Sequence, residues 1–220
     1  MKTLLLAGAA ILGIAGAADA AQIAAFSQTS GSNTITATQN GGATATSIAA
    51  AAAGVNVSQL FGNPAPFLAD FALSANSIDA AQTVLGLAVQ HFSGTFCISS
   101  GVGCTGTDFL SGSFTDAAVG AVGGPGLVVN VNNPPDTLSL SSSVISPLDL
   151  GPPNTFNLAF SNLIPDLAVC GATLCSFTAS FSGVASANTT SVPASEPLGL
   201  AVLGVGLLGL GLVKARGRCA

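Results

Sequence analysis

The sequence predicts an all-β, antiparallel body set between two targeting segments. Three observations carry that prediction. Apolar and polar residues alternate with period two through several Phe-containing stretches, and Gly- and Pro-rich turns separate those stretches. The two longest apolar runs without a charge lie at the extreme ends of the chain. Alternation is the mark of a strand with one buried face, and frequent turn residues make the strands short. The expected body is an antiparallel β-sandwich of jelly-roll-like type.

Residues 1–20, MKTLLLAGAAILGIAGAADA, combine one base at Lys2, an apolar stretch from Leu4 to about Ala17, and small residues Ala18 and Ala20 around Asp19. That is the layout of a secretory signal peptide with an A-x-A site, so cleavage is expected between Ala20 and Ala21. Residues 21–66 form a Ser/Thr/Ala/Gly-rich first part of the body. Within it NTITAT suggests a short strand, Asn40 to Gly42 a turn, and the Ala49 to Ala53 run a short helix on propensity alone.

Residues 67–190 carry the sandwich pattern. Phe92, Gly94, Phe96 and Ile98 share one face of QHFSGTFCI, Leu110, Gly112 and Phe114 one face of DFLSGSFTD, and Phe156, Leu158 and Phe160 one face of NTFNLAFSN. In CSFTASFSG, Phe177, Ala179 and Phe181 oppose Ser176, Thr178, Ser180 and Ser182. Phe inward with Ser, Thr or Asn outward describes half-buried antiparallel strands. Further strands are expected through Leu127 to Val131 and Leu138 to Val144. The turns between them are GGPG, NNPP, SP and GPP, in which Gly supplies positive φ and Pro presets φ near −65°.

Charge excludes one class of function outright. Charged residues are 6% of the chain, against about 25% in a typical domain. All four bases, Lys2, Lys214, Arg216 and Arg218, lie at the termini, and no Lys or Arg occurs between residues 3 and 213. Nucleic-acid binding rests on Lys and Arg neutralising phosphates, so this anionic body is not expected to bind nucleic acid. Trp and Tyr are absent, and the 12 Phe supply all the aromatic surface.

Five Cys occur as Cys97 with Cys104, Cys170 with Cys175, and Cys219 near the C-terminus. In an exported chain the four internal Cys read as two disulfides, with three possible connectivities. The local pairs are favoured, because a Gly-containing turn lies between the Cys of each. Closing the Cys97 to Cys104 loop would contribute roughly 2.5 kcal/mol on the chain-entropy model. A four-Cys zinc site wants tighter spacing within each pair.

No catalytic constellation is expected. The single His, His91, falls on the outward face opposite Phe92, and neither a Ser-centred elbow nor a Cys nucleophile accompanies it. Asp108 and Asp116 bracket one strand, about 26 Å apart at about 3.3 Å per residue, and read as turn residues instead of a facing carboxylate pair. The Gly120 to Gly126 stretch lacks the Lys and Ser or Thr of a phosphate loop. Asn56-Val57-Ser58 and Asn188-Thr189-Thr190 match the short glycosylation sequon. The chain is read as a non-enzyme without a cofactor or catalytic metal, and a calcium- or carbohydrate-binding module is the alternative.

The last segment, 191–220, is tripartite. A Pro- and Glu-containing stretch (Val192, Pro193, Ser195, Glu196, Pro197) precedes an apolar run from Leu198 to Val213, and a basic tail over 214–220 follows with Lys214, Arg216 and Arg218. As a helix the 16-residue run would be about 24 Å long, against a hydrocarbon core of about 30 Å. It contains five Gly, each costing about 1 kcal/mol of helix propensity. The expected transmembrane helix is therefore short and soft, and the bases orient its end to the cytoplasm. A permanent anchor without processing is the plain competitor.

This order resembles the PEP-CTERM sorting signal of exopolysaccharide-producing Gram-negative bacteria. In that family the motif commonly reads Val-Pro-Glu-Pro. Here Ala194 and Ser195 separate Val192 and Pro193 from Glu196 and Pro197, so the tripeptide is Ser195-Glu196-Pro197. The resemblance implies recognition and cleavage by an exosortase-type membrane protease. It also implies transient inner-membrane anchoring, transfer to the cell envelope or extracellular matrix, and exopolysaccharide as a candidate partner. Without the signal peptide eight acids and three bases remain, net −5, and loss of the tail's bases makes it −8.

Overall fold

The computed structural model describes residues 20–40, 45–120, 125–130 and 135–189. Most of them, 72%, are in antiparallel strands. In chain order these are β1 (Ala21–Gln28), β2 (Ile35–Gln39), β3 (Thr46–Leu60), β4 (Phe67–Ser77), β5 (Gln82–Val84), β6 (Leu87–Gly101) and β7 (Thr105–Gly120). There follow β8 (Gly126–Asn130), β9 (Thr137–Ser141), a 3-10 turn (Pro147–Asp149), β10 (Gly151–Ile164), β11 (Val169–Cys170), β12 (Thr173–Leu174) and β13 (Phe177–Asn188). Among the described residues no helix is long and apolar enough to cross a membrane. The signal peptide up to residue 19 and the sorting segment 191–220, with Cys219, lie outside the described residues.

Eight strands close a ring: β1, β3, β4, β6, β7, β8, β10, β13 and back to β1. Each pairs antiparallel with its neighbours, and the spatial order follows the chain order. This is an up-and-down barrel, a correction to the expected jelly-roll-like sandwich. Alternation reports only that one face of a sheet is buried, and a sheet curled on itself alternates in the same way as one packed on a second sheet. The closing contact is β1 on β13, from Ala21↔Ala187 to Ser27↔Ser182.

The shorter strands extend this ring. β2 continues in line with β1, pairing β3 through Thr36↔Ala49 and β13 through Thr36↔Thr178. β9 runs along β7 beyond the end of β8, from Ser111↔Ser141 to Thr115↔Thr137. The compositionally distinct stretch 21–66 thus supplies β1, β2 and β3 to the same barrel as the Phe-rich part.

The Ala49 to Ala53 run is not helical but lies inside β3, where Ile48, Ala50, Ala53, Val55 and Val57 are buried. Pairing with β2 and β4 outweighs the intrinsic preference of Ala for helix. Ala52, at φ 51°, is the extra residue where the register against β4 shifts between Ala50 and Ala53. That bulge moves the inward positions from even to odd numbers.

The inward faces are those the alternation predicts. Phe92, Phe96, Ile98, Leu110, Phe114, Phe156, Leu158, Phe160, Phe177, Ala179 and Phe181 are all buried. Rings from five strands meet near the axis. Phe26 lies 5.3 Å from Phe71, Phe71 4.8 Å from Phe181, and Phe96 stacks on Phe156 at 3.9 Å. The interior of a barrel this size is just wide enough to be filled by side chains, and here Phe fills it. Outward positions carry mostly Ser, Thr, Asn and Ala. That is the reverse of a membrane-spanning barrel, whose outer band is apolar.

One end of the barrel is closed by the chain between β10 and β13. The Cys170–Cys175 disulfide, with Cα atoms 5.0 Å apart, holds a small loop around β11 and β12. Leu174 projects from this loop into the core, fully buried. Its N–H donates to Gln90 Oε1 and Thr46 Oγ1, both at 3.2 Å. Gln90 is itself fully buried, and its Nε2 donates to the Asp79 carbonyl at 2.8 Å. A buried amide is tolerated in an apolar barrel because its polar atoms are bonded in this way.

Candidate functional site

With the interior filled by side chains, a pocket opens on the outer wall over β4, β6, β7 and β9. Residues that alternate with the buried Leu73, Phe96 and Leu138 point outward there, and cross-strand pairing lines them up in rows. One row runs Ser74↔Thr95↔Ser113↔Ser139 across the four strands. The next runs Ala72↔Cys97↔Ser111↔Ser141. Neighbouring strands lie about 4.8 Å apart, and successive rows about 6.7 Å apart along the strand.

These residues line a groove of about 420 Å³, with the Cys97–Cys104 disulfide along one side. That disulfide spans 5.7 Å between Cα atoms and folds the β6–β7 turn onto the sheet. Both disulfides are therefore the local pairs, which selects one of the three connectivities open to the sequence. Gly112, on the inward face beneath the groove, is a glycine for a steric reason. A Cβ there would sit 2.6 Å from the Phe96 ring, so the ring occupies the space beneath it.

The double variant Cys97→Ser with Cys104→Ser is expected to lose about 2 kcal/mol of stability. Equilibrium urea unfolding checks this, with a lower midpoint as the predicted result.

The groove's hydrogen bonding is uneven. Ser111 Oγ donates to Asp108 Oδ2 and shares a hydrogen bond with Ser141 Oγ, each at 2.8 Å. Thr115 and Thr137, one row further along, bond to each other. Among the described residues, the hydroxyls of Ser74, Thr95, Ser113 and Ser139 have no protein partner. They form the groove's free donors and acceptors.

Asp108 and Asp116 both lie within β7 and not in turns, which corrects the expectation. Asp108 stands opposite Ser99 at the end of the groove, and its carbonyl accepts from Ser143 N at 2.9 Å and Ser143 Oγ at 2.8 Å. Asp116 takes φ 61° at a bulge facing β6, a conformation Asp tolerates better than most residues. No contact brings the two carboxylates together.

His91 points outward and is partly exposed, as expected, but it has a partner that sequence reasoning missed. Its Nδ1 lies 2.6 Å from Asp79 Oδ2, and its backbone N–H donates to Asp79 Oδ1 at 2.9 Å. The pair fastens the β4–β5 connection to β6. The available signal was positional, since Asp79 and His91 flank the small β5–β6 hairpin and such flanks end side by side. Among the described residues no group of three or more His, Cys, Asp or Glu is placed to hold a metal ion.

No protein-family model, curated protein or solved structure matches the chain. The functional reading therefore rests on the residues themselves.

Proposed function

We propose that the protein is an exported, non-enzymatic β-barrel, delivered to the cell envelope or extracellular matrix by its PEP-CTERM-like tail. The tripartite segment 191–220 carries this reading: a Pro- and Glu-containing stretch, a Gly-softened apolar run, and Lys214, Arg216 and Arg218. In it, the signal peptide is removed between Ala20 and Ala21, and the 198–213 helix holds the chain in the inner membrane transiently. An exosortase-type protease then cuts near Ser195-Glu196-Pro197.

Two features of the barrel support this order of events. The first strand begins at Ala21, the residue expected at the mature N-terminus, and Ala21 pairs with Ala187 near the end of β13. Leader and tail thus leave from the same end of the barrel, so both can be removed without breaking the ring. Two disulfides also suit an oxidising compartment.

Intact mass spectrometry of the mature protein from its native host tests the proposal. The expected species begins at Ala21 and lacks Lys214, Arg216 and Arg218. If every molecule retained Arg218-Cys219-Ala220, the protein would be a permanently anchored barrel.

A further inference from the structure

We propose that the groove on β4, β6, β7 and β9 is a binding site for a neutral, polyhydroxylated chain, that is, an uncharged glycan segment. The inference adds a ligand class to the matrix reading and rests on that reading for its biological setting only. Its chemistry comes from the groove.

The four hydroxyls of Ser74, Thr95, Ser113 and Ser139 lie in one cross-strand row and have no protein partner. A row over four strands spans about 14 Å at about 4.8 Å per strand, room for a short oligosaccharide. Each hydroxyl can both donate and accept, so the row matches a ligand whose own groups do the same. Sugar hydroxyls have that character. A purely apolar ligand would cover these hydroxyls without bonding them and incur the desolvation cost of each.

Charge removes the ionic ligands. The body between residues 3 and 213 contains no Lys or Arg, so nothing could neutralise a phosphate, sulfate or uronate. A cation would meet only Asp108, which reaches the groove through Ser111 and is already bonded to it. The uncharged walls, Ala72 and the Cys97–Cys104 disulfide, offer apolar surface to the faces of a sugar ring. Since Trp and Tyr are absent, no large aromatic platform adds stacking. The expected affinity is accordingly in the millimolar range.

The test uses the full chain in detergent, isotopically labelled, and follows amide shifts by NMR on addition of cellotetraose, isomaltotetraose or a tetragalacturonate. The expected result is saturable shifts confined to Ser74, Thr95, Ser113, Ser139 and their neighbours with at least one neutral probe, and none with the galacturonate. Thr95→Val and Ser113→Ala remove hydroxyls without changing the strands. Each should weaken binding about threefold and together about tenfold, as lost hydrogen bonds of modest strength would.

Three results would overturn the proposal: no saturable shift with either neutral probe, shifts centred elsewhere, or equal binding of the galacturonate. Because the titration does not depend on tail cleavage, these outcomes leave the sorting proposal standing. Conversely, a tail found intact by mass spectrometry would leave the glycan site standing.

Discussion

Replacing Gly94 by Ala is expected to destabilise the barrel by about 3 kcal/mol, the upper end of ordinary overpacking costs. Gly94 lies on the inward side of β6 beside Ala75 of β4. A Cβ added there would stand 2.3 Å from the Ser74 carbonyl oxygen, 2.7 Å from Ala75 Cα and 2.8 Å from Ala75 Cβ. Two of these three neighbours are backbone atoms, so no side-chain rotation relieves the clash. β4 cannot retreat cheaply either, since Phe71 and Leu73 of the same strand are buried in the core. Interiors packed at crystal-like density transmit such strain instead of absorbing it.

Gly31→Ala serves as the control. It has open space where a Cβ would go and does not adopt the left-handed backbone region, so its effect should fall within about 0.5 kcal/mol. Urea unfolding of the two variants reads the difference, and equal midpoints would contradict the close approach of β4 and β6.

Leu174→Ala should cost about 3 kcal/mol, within the usual range for a buried Leu truncated to Ala. Leu174 is fully buried although it lies in a two-residue strand outside the ring. It belongs to a disulfide-held loop that closes one end of the barrel, and its burial covers core that would otherwise meet water. Gln90→Ala tests the same closure from the polar side. It removes one of the two acceptors of the Leu174 N–H and the donor to the Asp79 carbonyl, at an expected cost of about 1–3 kcal/mol. Leu174 and Gln90 are hydrogen-bonded neighbours in the same closing contact, so the double variant should be non-additive. Strict additivity in urea unfolding would show that the loop and Gln90 do not act together.

Much of this arrangement was legible in the sequence wherever the cause is local. Side-chain direction alternates along any strand, so the Phe faces of β6, β7, β10 and β13 could be assigned before any pairing was known. The disulfide pairing was favoured on the same ground, because a short Gly-containing turn brings its two ends together. Where long-range contacts decide, the residues pointed elsewhere. The Ala49 to Ala53 run has helical propensity, and only its position between β2 and β4 makes it a strand. Asp108 and Asp116 resembled turn residues because the length of β7 is set by pairing to β6, β8 and β9.

The candidate groove shows the same division. Ser74, Thr95, Ser113 and Ser139 are separated by 18 to 26 residues along the chain, and each taken alone is an outward polar position like many others. Only the registers of β4 on β6, β6 on β7 and β7 on β9 place them in one row. His91 and Asp79 meet because the β5–β6 hairpin brings its flanks together.

The sequence by itself determined the all-β character of the body, its inward faces, its freedom from positive charge and the tripartite pattern of its tail. These follow from period-two alternation and composition, which are properties of neighbouring residues. The tertiary structure alone decided that the sheet closes into a barrel, that Phe rings fill its axis and that four hydroxyls share a groove. Closure depends on Ala21 meeting Ala187 across the whole length of the body. Such a contact is selected by the summed burial and hydrogen bonding of every strand between them, and no local pattern contains that sum.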